Sequence, residues 1–583
     1  MKLRKKVSLA LVALLAAGSL ASCSAGGGNG SKGAISEFPD KWDKEITIDV
    51  FDGLANYMGV QQGWFAKIVE DKFNMKLNII APNVAGGGDT LYNTRVAAGD
   101  LGDLIITDKG QKLDELIEGG LVSDASDYYP AMKNLETYDT AVQHLNDGKD
   151  GVYGFPSALS TLKPTEPSEG LDPTFGAYMR WDYYKELGYP EVGTLEDLLP
   201  ILKQMQTAHP TADNGQPTYG FSLFKDWDGN MMVTAKQPAT YYGYDEIGFV
   251  LAKADGSDYQ SILDPDGEYM RNLKLYFDAN QLGLVDPEST TQNYDTLFSK
   301  MQNGQVLFSW WPWLGQSAFN TDPNMQAGKG FEMVPLKDQD IFSYGAEAYG
   351  GKQVFAIGSK AEDPERIAAF VDWLYSPEGA YASSAQTGGT AGPQGLTWDV
   401  NDAGEPELTE FGYQQFLGGG ATVPEEWGGG KYEDGVSALN LSAVLPKEVD
   451  TETGYPYSYT FWPTYQAKIA NPLTEDWSSK MGDATSTMEY LTANDQLMVA
   501  PGASYAAPAD PSDIEALRNQ VKEIIKQYSW QMVFAENEAQ FESLRDELIS
   551  TADGLGYDKV LDFDMDNAKS QNDARIAVTK AFD

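Results

Sequence analysis

Between Glu45 and Ile106 the chain changes period repeatedly, and few architectures accept that order. Glu45 to Phe51 alternates, with Ile46, Ile48 and Val50 on one side, as a strand does. Trp64, Phe65, Ile68, Val69 and Phe73 then fall at helical spacing, and Leu77 to Ala81 is a second strand. Gly99-Asp100-Leu101-Gly102-Asp103 leads into Leu104-Ile105-Ile106, an all-apolar run of the kind found in a strand covered on both faces. Strand, helix, strand, helix and strand at these lengths imply a parallel sheet with right-handed crossovers, and an α/β fold. Open sheets of this kind bind ligands beyond the carboxyl ends of their strands. Three loops qualify: 52–57 with Asn56, 84–89, and 107–111 with Asp108 and Lys109. Gly86-Gly87-Gly88-Asp89 lacks the lysine and the spacing of a phosphate-binding loop, and reads as a tight turn before a helix.

Trp310, Trp311 and Trp313 occupy three of four positions around Pro312, just after an apolar run ending at Phe308. Strand neighbours alternate faces and proline ends the ladder, so the three indoles cannot all enter one core. At least one is expected to face a cleft or solvent. A flat aromatic face with a polar N–H at its edge suits a sugar ring, although each indole taken singly reads equally well as a core anchor. Lys225-Asp226-Trp227-Asp228-Gly229 sets an indole between two carboxylates. The two acids read as hydroxyl acceptors, or as the caps of a polar turn. Trp181 in the stretch from Tyr178 to Pro190, Tyr349 in Ala348-Tyr349-Gly350-Gly351-Lys352, and Trp462 in the aromatic group 455–465 complete the candidate ligand contacts.

The first residues carry Lys2, Arg4, Lys5 and Lys6, then an apolar run from Val7 to Ala17, then Leu20-Ala21-Ser22-Cys23. A basic region, a short apolar core and small residues before the cut describe a secretory signal peptide over 1–22, too short for a stable membrane span. Cys23 is the single cysteine, so no intrachain disulfide is expected. A Gly/Ser-rich tether runs from Ser24 to Gly33. The formal charge of −44 becomes −48 once the four signal cations are removed. So acidic a surface repels nucleic acid and anionic lipid, and neither is an expected partner. His144 and His209 are the only histidines, which leaves little material for zinc sites or for Ser-His and Cys-His nucleophiles. A glycosidase, needing only two carboxylates, is not excluded on that ground.

Further along, the chain makes a hairpin near Asp150 to Pro156, and a Pro/Ser/Thr-rich piece, 162–173, reads as a crossing between lobes. Thr194 with Asp197 opens a helix through Met205, Tyr219 to Phe224 is strand-like, and Asp363-Pro364-Glu365 caps a helix whose Ile367, Phe370, Val371 and Leu374 form one stripe. Ser512, with Glu515 three places on, reads as the cap of a long helix. Asp562 to Asp573 has a faint calcium-loop spacing but lacks the glycine and the final glutamate, so helix capping is preferred; no metal and no cofactor is expected.

Four segments, in this order, carry a family likeness: Ala98 to Asp103; Gly151-Val152-Tyr153-Gly154-Phe155-Pro156; Leu297 to Phe308 with Pro312-Trp313; and Asp363 to Gly379. With them, and with a Leu-Ala-Ser-Cys lipobox, the chain resembles an extracellular solute-binding protein, family 1, of the bacterial carbohydrate ABC-transporter class, the lipoprotein relatives of maltose-binding protein. The resemblance implies a two-lobed periplasmic-binding-protein fold with a hinge and a central ligand cleft. The lobes it suggests are 44–160 with about 350–388, and about 172–348 with about 390–583, after a lipidated Cys23 and tether over 23–43. Trp313 matches a family Pro-Trp whose indole stacks on sugar, and Asp108 with Lys109 matches polar ligand contacts; Thr107 stands where some members have tryptophan. An oligosaccharide ligand, the transmembrane subunits of an ABC permease, a lipid-anchored extracytoplasmic location, a monomer and no enzymatic activity follow from the same likeness. A secreted glycoside hydrolase and a binding protein for a non-sugar solute are the alternatives.

Overall fold

A computed structural model describes residues 34–582 apart from 83, 85–87, 386–388, 504 and 506. The signal peptide, Cys23, the tether to Gly33 and the turn residues 85–87 lie outside the described residues.

The first lobe is built on a six-stranded sheet. Its strands β1 (Ile46–Asp52), β2 (Gly59–Val60), β3 (Met75–Ile80), β4 (Leu104–Asp108) and β5 (Phe155–Pro156) are joined by the later strand Gln353–Ile357, in the order β2, β3, β1, β4, Gln353–Ile357, β5. β1 pairs parallel with β3 (Val50 opposite Ile79) and with β4 (Val50 opposite Leu104), while Gln353–Ile357 runs antiparallel to β4 with Phe355 opposite Ile106. Side-chain alternation explains the apolar run in β4: Leu104 and Ile106 enter one core with Ile48, Val50 and Phe355, and Ile105 enters the core on the other face with Phe51, Val354 and Ala356.

The second lobe has its own core and only small sheets. Tyr178–Arg180 lies between Phe308–Ser309 and Phe331–Met333, antiparallel to both. Ile341–Tyr344 pairs parallel with Leu497–Ala500, and a meander runs through Tyr244–Ile247, Val250–Lys253 and Tyr259–Ser261. Tyr219 to Phe224, strand-like in sequence, makes only isolated pairings, Tyr219 with Val306 and Phe221 with Val285. Three long helices, Ser512–Val533, Glu538–Leu555 and Tyr557–Phe582, close this lobe. The first begins at Ser512 with Pro511 at the cap position, so Ser512 opens the helix rather than capping it. The acidic stretch 562–573 lies within the last helix. Arg518 donates to both oxygens of Asp564, at 2.7 Å each, and Asp564 Oδ2 also accepts from the Phe249 amide, which fixes the helix against the meander.

Three segments, 160–174, 345–353 and 466–472, pass between the two cores. The boundary expected near residue 390 is corrected. Leu396, Trp398, Tyr432, Trp462 and Tyr465 join the first lobe's core, and the chain enters the second only at Leu473 and Trp477. The reason is local: Trp64 donates its Nε1–H to the Tyr432 carbonyl at 3.0 Å and stacks on the Tyr432 ring at 5.3 Å. Where the crossings meet, Gly345 N–H donates to Ala500 O, Ala346 N–H to Glu166 O and Gly502 N–H to Pro164 O. A Cβ on Gly345 would lie 2.1 Å from Pro164 O, so the close approach of these backbones requires glycine there.

Candidate functional site

The second lobe presents an aromatic platform. Phe308–Ser309 ends in an extended Trp311, and Pro312 at the first helical position starts the helix Pro312–Phe319. Ser309 Oγ donates to the Trp311 carbonyl at 2.9 Å and holds the bend. Trp310 and Trp311 are both buried, at 4% and 5% exposure, and Trp313 is 39% exposed. Trp311 and Trp313 stack at 5.1 Å and 28°. Trp227, 44% exposed, stacks on Tyr294 at 4.6 Å and 25°, and lies 5.8 Å from Trp313. Phe224 supports this pair from beneath, edge-on to Trp227 at 5.0 Å. Trp227, Tyr294 and Trp313 form one partly exposed surface with the buried Trp311 behind it, an arrangement that flat, C–H-rich ligands favour.

In the first lobe the carboxyl ends of β1 and β4 open into a cavity of about 260 Å³ lined by Leu54, Tyr92, Thr107, Asp108, Lys112 and Gln353. Asn56 is exposed on the loop after β1. Asp108 accepts from Gln353 Nε2 at 3.1 Å and pairs with Lys112 at 3.4 Å and Lys352 at 3.5 Å. Lys109 turns to the crossing instead, its Nζ donating to Gly350 O at 2.9 Å. Burial lowers its pKa, and Glu347 opposes that shift.

A third feature escaped the sequence reading. A cavity of about 480 Å³ is lined by Gln466 from the first lobe's side of the crossing and by Asp172, Gln316, Glu332, Trp477 and Thr487 from the second. Gln316 lies one turn after Trp313 on the same helix, so this cavity and the platform share a wall. Glu332 is buried. Burial and the neighbouring Asp172 carboxyl hold it well above the ordinary carboxylate range, against the pull of the Gln316 amide at 3.2 Å. Burial likewise raises Asp172, opposed by hydrogen bonds from Thr487 and Tyr178. Glu332 and Asp172 set two carboxyl groups, both raised by burial, within one cavity. The available signal was a glutamate inside the otherwise apolar Phe331 to Leu336 run.

Several expected contacts are corrected. Trp310 is in the core, stacked on Phe221 at 5.8 Å and against Phe308 at 4.4 Å. Trp181 is buried with its Nε1–H donated to Asp476 at 2.8 Å, and Trp462 is buried with its Nε1–H donated to Pro456 O. A fully buried indole has no face to offer a ligand. Tyr349 stacks on His144 at 3.7 Å, with Phe582 5.5 Å away. Asp226 and Asp228 cap backbone: Asp226 Oδ2 accepts from Tyr294 N–H at 2.9 Å, and Asp228 accepts from Val233 N–H and from Trp530 Nε1–H. Of the candidate contacts, Trp227 and Trp313 are brought together in one exposed surface, Trp311 is buried behind it, and Asn56 and Asp108 sit at the strand ends of the other lobe.

No family model and no curated protein sequence matches the chain. Solved structures do, over almost its whole length. It is similar to an HMO-binding ABC-transporter-associated solute-binding protein from Bifidobacterium longum infantis ATCC 15697, at 15% identity and a TM-score of 0.58, covering 91% of this chain and 99% of that one. A second likeness is to an extracellular solute-binding protein from Bifidobacterium longum subsp. infantis, at 14% identity and 0.55, covering 92% and 100%. A third is to the S. pneumoniae ABC-transporter substrate-binding protein FusA in complex with kestose, at 16% identity and 0.51, covering 91% and 100%. The chain has the two-lobed solute-binding-protein fold.

Proposed function

We propose that the chain is the substrate-binding protein of an ABC transporter, which captures an oligosaccharide between its lobes and delivers it to the transporter's permease subunits. The observation that carries this reading is the exposed platform of Trp227, Tyr294 and Trp313, backed by the buried Trp311 and set on the second lobe of a fold whose two halves are joined by three crossings. The neighbours named above as HMO-binding and as holding kestose support it. Stacking supplies contact area without fixing the sugar's identity. Orientation then comes from polar groups that meet the hydroxyls: Asn56 and Asp108 from one lobe, Gln316, Glu332 and Asp172 from the other. An unmet buried hydroxyl costs roughly 1–3 kcal/mol, so these groups select the ligand.

Closure needs no nucleophile. It needs open and closed forms separated by a few kcal/mol, so that a ligand touching both lobes selects the closed one. In this reading the closed form is what the permease engages, the protein acts as a monomer without enzymatic activity, and a lipid on Cys23 with the tether to Gly33 holds it at the outer face of the cell membrane. Among the described residues no helix is long and apolar enough to cross a membrane.

The test is to follow the thermal midpoint and tryptophan emission of the chain from Ile35 onward while adding plant, milk and microbial oligosaccharides. A ligand at a hundred times its dissociation constant adds about 2.7 kcal/mol of stability. A glycan that raises the midpoint, changes the emission and is recovered intact supports the reading. Cleavage of that glycan would make the chain a glycoside hydrolase, and a panel without binders would remove carbohydrate as the ligand.

A further inference from the structure

The loop that carries Trp227 has a second side. Lys225 and Asp228 face away from the platform into a groove of about 770 Å³, closed by the helices Ser512–Val533 and Glu538–Leu555. Thr290 also lines the groove, and Tyr294, four residues on, belongs to the platform. Groove and platform thus draw on the same two segments, 225–228 and 290–294. Trp530 and Phe534, one turn apart, lie parallel within 8° along the groove. Lys225 Nζ sits 4.9 Å from the centre of the Trp530 ring. Gln527 and Gln531 line it at the exposed edge of the same helix.

We infer that this groove is a second carbohydrate subsite, which takes the distal residues of the same oligosaccharide whose other end lies on the Trp227 and Trp313 platform; this rests on the proposed function. The chemistry is that of a neutral sugar. Phe534, partly exposed and backed by the buried Trp530, offers a face for ring C–H groups, and primary amides both donate to and accept from hydroxyls. The volume falls within the range of small-molecule sites. Net anion recognition is not built in, because Lys526 is paired with Glu523 at 2.7 Å and Asp228 lies in the same wall. The consequence is selection by chain length: short glycans use the platform alone, and longer ones gain the groove.

The experiment is titration calorimetry with inulin-type fructooligosaccharides and with neutral milk oligosaccharides, each from the shortest member to the hexasaccharide. The unaltered chain is compared with the double variant Gln527→Ala/Gln531→Ala, with Phe534→Ala, and with Trp313→Ala as the platform control. Both glutamines are exposed, so the double variant keeps the parent's thermal midpoint, which covers the case in which Phe534→Ala folds poorly. The expected result is that affinity rises with length in the unaltered chain, that the double variant loses about tenfold for the longer members only, and that Trp313→Ala weakens every member. If the double variant binds all lengths as the unaltered chain does, the groove is not a subsite and the proposed function still stands. If the unaltered chain binds neither series, the same comparison is made with the glycan that gives the largest thermal shift and its shorter homologues, and equal affinity at all lengths there overturns the subsite while leaving the proposed function standing.

Discussion

Asp52 ends β1 without exposed surface. Its Oδ1 accepts from the amides of Leu54 at 2.8 Å and Ala55 at 3.2 Å, which shapes the loop that carries Asn56. Among the described residues its Oδ2 has no hydrogen-bond partner. Burial pushes the carboxyl up to about 7, against the pull of those two amides. A carboxyl raised on folding binds its proton more tightly in the native state, so its contribution is fully present below about pH 4 and is lost as pH rises through about 7. Asp52→Asn keeps the Oδ1 acceptor and removes the titration. The stability of the unaltered chain relative to this variant is therefore expected to fall, by an amount on the order of a few kcal/mol, between pH 4 and 7.5, as read by denaturant unfolding at each pH. A difference flat across that range would show that Asp52 does not titrate there. Side-chain placement of this kind was only partly legible. Alternation around Pro312 required one indole to leave the core, but not that Trp313 rather than Trp310 would do so. Trp181 and Trp462 carry the same residue type as Trp227, and only tertiary contacts separate them.

At the scale of elements, the loop 225–228 is held by both of its carboxylates, and one of the bonds comes from the C-terminal helical layer. Trp530 Nε1–H donates to Asp228 at 2.7 Å, while Asp226 caps the backbone of Tyr294. Removing the indole N–H leaves a partly buried acceptor without this donor, so Trp530→Phe is expected to cost about 1 kcal/mol of stability. Because Trp227 rides on this loop, the same variant is expected to weaken short glycans as well, unlike changes at Gln527 and Gln531. Unchanged binding of short glycans by Trp530→Phe would mean that the loop holds its shape without the C-terminal helices. Elements with end signals were readable: Thr194 and Asp197 make a reciprocal capping box, and Asp363 Oδ1 accepts from the Arg366 amide ahead of Pro364–Leu374. The second lobe's strands were not. Tyr178–Arg180 and Phe331–Met333 are three residues each and pair across about 150 residues of chain, so no local periodicity marks them.

On the scale of the whole molecule, the first lobe's sheet was written in a short stretch, and the lobe boundary was not. The aromatic-rich segment 391–465 carries enough apolar surface to suit either core, and its side is decided by Trp64 meeting Tyr432. Two of the three crossings, 160–174 and 345–353, are stitched to each other and to 500–502 by backbone hydrogen bonds, and the large apolar clusters lie inside each lobe. That division gives the account its physical basis, because lobes with separate cores can rotate without repacking either. Small-angle X-ray scattering of the chain from Ile35 onward, with and without the glycan that gives the largest thermal shift, measures the rotation directly. Capture by closure predicts a smaller radius of gyration at saturation, with the glycan recovered uncleaved. An unchanged radius at saturation would contradict capture by closure.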